Sequence, residues 1–187
     1  MKPLSLPAPT VARNLVGWEL EANGVRGRIT EIEAYHSEKD RACHASKGRT
    51  PRTETLYAAP GTLYVYLCYG MHNLLNLVCD DAGIPSAVLI RSLEIIDGLA
   101  LAQKRRRQTT CDTLRLANGP AKICQVLALT TVHNALTLGQ ADCPLRLLPP
   151  TRPGGRLRRG PRVGIAYAGP VWAAKPWRWW EAGFPVA

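Results

Sequence analysis

The chain has 187 residues, 46% of them apolar, and its 24 Lys and Arg against 14 Asp and Glu give a formal net charge of +10. This length accommodates one domain with a substantial core, and no run approaches the ~18 apolar residues of a membrane span, which excludes a helical membrane protein. We find no export signal and expect a soluble protein that is not secreted. The charge predicts a polyanionic partner, nucleic acid ahead of membrane or acidic protein, although an arginine-rich genome would leave the same composition.

The six cysteines carry no recognisable metal or disulfide pattern. None forms a CxxC pair, and none stands at a metal-like spacing from the four histidines. Because no export signal is found, we expect reduced, partly buried thiols. The sequence therefore predicts neither a structural zinc nor a disulfide framework.

The first elements are a short helix and a hairpin. Thr10 is a suitable N-cap for a helix over 11–16. Residues 18–21 are predicted to form a strand, and the Ala-Asn-Gly sequence at 22–24 is a strong hairpin signal that leads into a return strand over 25–33.

Two carboxylates lie near the end of that return strand. Side chains alternate along a strand, so Ile29, Glu31 and Glu33 are predicted to share one face, with the two glutamate Cα atoms ~6.5 Å apart. Acidic residues on strands are usually solvated edge positions. A polar loop over 36–55 follows, however, and such a loop on a rigid strand favours function. Its basic residues indicate phosphate contacts or a merely solvated loop; they are Lys39, Arg41, Lys47, Arg49 and Arg52.

Residues 61–76 are predicted to form a second hairpin with tyrosines on one face. Tyr64 and Tyr66 alternate with apolar residues in the first strand, and Tyr69 stands at the turn, where Gly70 supplies backbone freedom. Aromatic residues suit strands, so a purely structural sheet face is an open alternative. Asn76 interrupts the second apolar run, and it should either bond to backbone or face a pocket.

The second half alternates strands, helices and basic loops. A third strand is predicted over 86–93, where Arg91 is either an edge residue or one that faces a carboxylate or phosphate. A helix follows over 99–107, and Asn118 is a suitable N-cap for a second helix. Lys122 lies in the first turn of that helix, where phosphate can bind.

The last part of the chain is rich in arginine and tryptophan. We predict a short strand within 138–148, a basic loop over 151–162 and a last strand over 162–167. The tryptophans that follow are interpreted chiefly as packing residues.

These elements together resemble one family. The chain is similar to the alkyladenine (3-methyladenine) DNA glycosylases in the same order from about Leu15 to Phe184. Glu-Ala-Tyr, Thr-Pro-Arg, Gly-Thr-Leu-Tyr-Val-Tyr and Tyr-Gly-Met form a specific combination. The matching segments are RGRITEIEAY (26–35), GRTPR (48–52), PGTLYVYLCYGMHNLLN (60–76), VLIRSLE (88–94), NGPAKICQVLAL (118–129) and RVGIAYAG (162–169).

The resemblance implies an α+β fold: a single domain over 1–187 with a curved antiparallel β-sheet, flanking helices and a protruding hairpin that inserts into DNA. It implies a monofunctional glycosylase that flips alkylated purines out of double-stranded DNA and hydrolyses the N-glycosidic bond with an activated water, initiating base excision repair. Deaminated and etheno purines are further candidate substrates. No metal or organic cofactor is implied, and we expect a monomer in the cytoplasm or nucleoid of a bacterium, or in a eukaryotic nucleus.

The resemblance also assigns roles to residues. Glu33 stands at the catalytic position, with Arg91 near the catalytic water. Tyr69 stands at the position that fills the gap left by the flipped base. The implied base pocket consists of Tyr35, His44, Tyr66 and Asn76, the implied intercalating tip of Tyr69 and Met71, and the implied DNA-backbone contacts of Arg49, Arg52, Lys122 and Arg162.

The chain departs from the family pattern at the hairpin and in its last motif. His72 and Asn73 follow the tip where aromatic residues are usual, and Tyr167 stands where histidine is common. These positions bear on substrate range and DNA contacts. Two other functions stay open: a non-catalytic protein that binds damaged DNA, which would not require Glu33, and an RNA-binding module, which basic and aromatic surfaces also suit.

Overall fold

Eight strands form one curved antiparallel sheet in residues 2–187, the part of the chain that the computed structural model describes. The strands are β1 (Glu19–Ala22), β2 (Val25–His36), β3 (Leu63–Cys68), β4 (His72–Val78), β5 (Ser86–Asp97), β6 (Arg146–Leu148), β7 (Leu157–Gly160) and β8 (Arg178–Glu181). Their order is β3-β4-β5-β2-β1-β6, and β8 pairs with both β2 and β7. The predicted α+β class with a curved antiparallel sheet is therefore confirmed.

Four α-helices and several 3₁₀ turns surround the sheet. The helices are α1 (Ala8–Leu15), α2 (Leu99–Arg106), α3 (Pro120–Val126) and α4 (Pro170–Ala173). Helix α1 buries Val11 and Leu15 in the main core, which also takes in Ile123 of α3. No helix in residues 2–187 is long and apolar enough to cross a membrane.

An irregularity in β2 decides which residues face the core. Ile29 and Ile32 both belong to the main core although they are an odd number of positions apart, and the pairing of β2 with β5 shifts register on either side of Glu31. An extra residue of this kind bends a strand and changes the face of the residues that follow. The expectation that Ile29 shares a face with Glu33 is therefore wrong, because the bulge turns Glu33 away from the core.

The ends of several elements differ from the sequence-based predictions. Helix α1 begins at Ala8, with Pro7 as its N-cap, so Thr10 lies inside the helix; Gly119 caps α3 without a side-chain bond, so Asn118 is not its cap. The basic segment over 151–162 contains strand β7, whereas 162–167 forms no strand and includes the start of a 3₁₀ turn at Ala166–Ala168. The tryptophan-rich end contributes strand β8, because Trp179 packs into the core while its backbone pairs with β2.

Candidate active site

The β3–β4 hairpin carries exposed apolar residues at its turn. Tyr69 and Gly70 have φ angles of 51° and 69°, the left-handed conformation that tight hairpin turns use. Tyr69 is 88% exposed and Met71 69% exposed. A large aromatic ring held in solvent by a strained turn is unusual in a stable domain, and such features cluster at functional sites.

A pocket of about 380 Å³ opens beside this hairpin. Its walls come from β2, from the loop that follows β2, from β3, β4 and β5, and from the segment 163–167. Five of the six tyrosines of the chain line it, so the aromatic residues are concentrated at one place rather than spread over the sheet. They are Tyr35, Tyr64, Tyr66, Tyr69 and Tyr167.

An aromatic cluster forms one wall of the pocket. The rings of Tyr64 and Tyr66 stack with centroids 5.3 Å apart, and the His44 ring meets Tyr66 edge-on at 4.6 Å. The Nδ1 atom of His44 lies 2.9 Å from the Tyr64 hydroxyl oxygen. Burial, reinforced by the charge of Arg52, lowers the pKa of His44 to about 4, so its imidazole is neutral at physiological pH.

Glu33 lies behind the pocket wall. Its side chain is fully buried, and its Oε1 accepts a hydrogen bond from the Val163 backbone N–H at 2.7 Å. The Tyr35 hydroxyl donates to Oε2 at 2.8 Å. Both Tyr35 and Val163 line the pocket, so the carboxylate lies directly beside the cavity wall.

Arg91 connects Glu33 with the second carboxylate of β2. Its Nε donates to Glu31 Oε1 at 2.7 Å and lies 3.4 Å from Glu33 Oε1. Burial raises the pKa of Glu33 above its ordinary value, while Arg91 and the Val163 N–H oppose that rise. Arg91 itself lines the pocket, so the site combines an aromatic cavity with a buried, cation-supported carboxylate. This arrangement can hold a flat ring and take up a proton beside it.

A model of the methylpurine-DNA glycosylases matches residues 3–185. The chain belongs to this family. It is 44% identical over 93% of its length to a Myxococcus xanthus protein named "Putative 3-methyladenine DNA glycosylase", and it covers 84% of that relative. A Mycobacterium tuberculosis protein of the same name is 37% identical over 97% of this chain, and 89% of the relative is covered. The predicted family resemblance is confirmed, and DNA is therefore the substrate class of the family to which this chain belongs.

The site residues that the resemblance implied come together around the pocket. Its lining includes most of them: Tyr35, His44, Arg52, Tyr66, Tyr69, Asn76 and Arg91. Asn76 faces the cavity and also donates from Nδ2 to the backbone oxygen of Tyr64 at 3.1 Å, so both alternatives raised for it hold at once. Met71 lies instead beside a smaller hollow of about 210 Å³ against α3, which His72 and Asn73 also line.

The predicted DNA-backbone residues occupy different environments. Arg49 is exposed and forms an ion pair with Glu54, and Lys122 is partly exposed near the start of α3. Arg162 is buried, and its guanidinium donates to both carboxylate oxygens of Asp40, at 2.6 and 2.9 Å. A guanidinium enclosed by its own carboxylate partner is not presented to a phosphate, so the structure gives Arg162 a scaffold position under Tyr35.

Several residues of the site were not assigned a role in it from the sequence. Tyr64 shares its strand face with Tyr66, and this alternation was the available signal. Tyr167 was noted only as a departure from the family pattern. Glu31 was recognised as a neighbour of Glu33, but nothing in the sequence showed that it would bind Arg91. No cluster of three or more His, Cys, Asp or Glu that could hold a metal ion occurs in residues 2–187.

Proposed function

We propose that this protein removes alkylated purines from double-stranded DNA by hydrolysing the N-glycosidic bond, with Glu33 as the general base. The observation that carries the proposal is the buried Glu33 carboxylate, bonded to Tyr35 and Val163 directly behind an aromatic pocket. An enzyme that acts on a base must take it out of the stack into such a pocket. A protein that only bound damaged DNA would have no use for a buried carboxylate there, because its charge repels phosphates.

The pocket suits a flat, positively charged ring. Tyrosine faces stack on purines, and their negative π surfaces attract a cation. His44 is neutral at physiological pH, so it offers a hydrogen bond without repelling a cationic base. Alkylation at a ring nitrogen makes a purine cationic, as in 3-methyladenine and 7-methylguanine. The aromatic wall of the pocket therefore favours alkylated over normal bases.

The proposed reaction needs only a water molecule and Glu33. The carboxylate accepts a proton as the water oxygen bonds to C1′ of the deoxyribose and the C1′–N bond breaks. The bonding electrons leave with the base, which neutralises a cationic alkylpurine. Arg91 lies beside this carboxylate and helps to keep it ionised. Because the nucleophile is water rather than an amine, no strand cleavage is expected.

Discrimination and base flipping are assigned to two further residues. Asn76 is held by its bond to Tyr64 and faces the pocket, where it would crowd the exocyclic amino group of guanine. Tyr69 at the hairpin turn would occupy the gap that the flipped base leaves. Hypoxanthine and ethenoadenine are neutral and would need more help in leaving, so they are candidate substrates of lower rate.

The test is base release from duplex oligonucleotides that carry one hypoxanthine or one ethenoadenine, beside methylated DNA. Wild type should release a base from at least one of them, and Glu33→Gln should lower the rate about 10²- to 10⁴-fold, as expected for a general base. Glu21→Gln, on β1 and paired with Arg146, is the matched control that should keep the wild-type rate. Lesion-selective binding without release by wild type would support the non-catalytic alternative. An active Glu33→Gln would exclude the mechanism.

A further inference from the structure

The C-terminal segment reaches the buried ion pair next to Glu33. The backbone N–H of Ala187 donates to Glu31 Oε2 at 2.6 Å, and Arg91 Nη2 donates to the backbone oxygen of Ala187 at 2.7 Å. One residue of this segment therefore binds both the carboxylate and the guanidinium. No contact of this kind is predictable from sequence, because 156 positions separate Glu31 from Ala187.

Glu31 has its oxygens occupied by donors. Its Oε1 accepts from Arg91 Nε at 2.7 Å and from Arg178 Nη1 at 3.2 Å, while Oε2 takes the Ala187 N–H. The side chain is 1% exposed. A buried carboxylate is stable only when its charge is compensated in this way. Glu31, with two guanidinium donors, is thus placed to hold cations. Glu33 differs because Arg91 is its one ion-pair partner and its other two donors, Tyr35 and Val163, line the pocket.

Arg91 is fixed by two anchors. A guanidinium is planar, so contacts at Nε and at Nη2 determine its orientation as well as its position. Glu31 supplies the first contact and the backbone oxygen of Ala187 the second. With both in place, Nε lies 3.4 Å from Glu33 Oε1. Loss of either anchor would leave a buried guanidinium free to turn away from Glu33.

We propose that Glu31 and the backbone of residue 187 are positioning groups that hold Arg91 against Glu33, so that the C-terminal segment is a part of the active site. This inference rests on the proposed function, because it gives Arg91 a task in base release. Small displacements of catalytic groups are costly, and about 1 Å of misplacement lowers a rate about 100-fold.

The first experiment removes a single donor. Ala187→Pro lacks the backbone N–H that binds Glu31, whereas Ala187→Gly retains it. The two variants are compared in base release from methylated duplex DNA under single-turnover and steady-state conditions. We expect kcat of Ala187→Pro to lie at least about tenfold below that of Ala187→Gly, with similar KM for DNA, because the lost contact holds Glu31, and through it Arg91, and does not touch the duplex. Equal values of kcat and of KM in the two variants would overturn the inference.

The second experiment uses the pH profile of base release. The charged and titratable groups around Glu33 are Arg91 from β5, Arg178 from β8, and Glu31 and Tyr35 from β2. Glu31→Gln loosens Arg91, and the charge of Arg91 lowers the pKa of Glu33 by more than that of Glu31 raises it. The acidic limb of the pH profile should therefore move to higher pH while kcat falls. If Glu31 only stabilised the fold, the substitution would lower the amount of active enzyme without moving the acidic limb of the pH profile.

The outcomes separate this inference from the proposed function. If wild type releases no base from any substrate, the proposed function is wrong, and the inference that depends on it is wrong as well. If wild type is active while Ala187→Pro matches Ala187→Gly, or the acidic limb of Glu31→Gln does not move to higher pH, the inference alone is wrong. Should Glu31→Gln fail to fold, the comparison at residue 187 decides.

Discussion

Glu33 must be ionised to accept a proton, yet its surroundings oppose the charge. Burial raises its pKa above the ordinary value of 4.5, and Arg91, the Val163 N–H and the Tyr35 hydroxyl only partly offset that rise. Three hydrogen-bond or ionic donors around one carboxylate suit its anionic form. A general base works best when its pKa approaches the operating pH, so a moderately raised pKa serves the proposed reaction.

The same shift predicts how Glu33 affects stability. The folded protein holds this proton to a higher pH than the unfolded chain does, so the contribution of Glu33 to stability is present below the unfolded pKa and is lost as pH rises through the folded pKa. We therefore expect the melting temperature of Glu33→Gln, relative to wild type, to rise from acidic to neutral pH. Thermal unfolding across this range checks it, and a difference that is constant with pH would contradict a raised pKa.

Individual side chains could be placed from the sequence where the residue type and its position along a strand were enough to indicate its surroundings. The alternation along β3 located the tyrosine face, and a polar Asn76 in an apolar run indicated a pocket position. Arg162 could not be placed in this way. Its neighbours in sequence are basic and suggest a phosphate contact. Its partner Asp40, however, is 122 positions away, and only the folded chain brings the two together.

Among the elements, the β3–β4 hairpin shows a conflict between stability and function. Tyr69 has a positive φ, which costs a residue with a Cβ about 1–2 kcal/mol, and its ring is almost wholly in solvent. Neither feature stabilises the protein in the absence of DNA. Both are explained if the ring is buried only in the complex with DNA, because the turn then holds it ready for insertion.

This predicts that Tyr69→Gly separates binding from folding. Glycine adopts the turn conformation without strain, so the variant should unfold at or above the wild-type temperature. Its affinity for lesion-containing duplex should fall much more than its affinity for undamaged duplex. Ser37→Gly relieves a similar positive φ of 64° in the turn after β2 and should leave both affinities unchanged. Equal loss on both duplexes for Tyr69→Gly would contradict a role in flipping.

Elements were predictable from sequence where local signals were strong. The hairpin turn at Asn23 and Gly24, the tyrosine hairpin and β5 were all located from turn residues and alternation. The bulge at Glu31 and the short strands β7 and β8 were not, since they depend on pairing between distant segments. The bulge matters most for the site, because it moves Glu33 to the pocket side of β2.

At the scale of the whole molecule, the effect of the net charge of +10 on DNA binding depends on which face carries the basic side chains. Directly opposed residues of an antiparallel pair share a face, so Glu31 on β2, Trp180 on β8 and Arg158 on β7 lie in one row across the sheet. Arg158 is thus on the same face as the active site, about two strand spacings away. Arg159 pairs with Trp179, whose own neighbour Ile32 faces the core, so it lies on the opposite face.

The two neighbouring arginines therefore provide a matched test of where the duplex lies. Each phosphate contact releases condensed counterions, so removing one should reduce the slope of log affinity against log salt by about 1 and weaken binding to all duplexes alike. We expect this of Arg158→Gln, and we expect Arg159→Gln to keep the wild-type slope although both side chains are exposed. Titrations of undamaged duplex at several salt concentrations measure it. Equal slopes in the two variants would mean that DNA binding does not extend along the site face to β7, and that the positive charge there serves solubility rather than recognition.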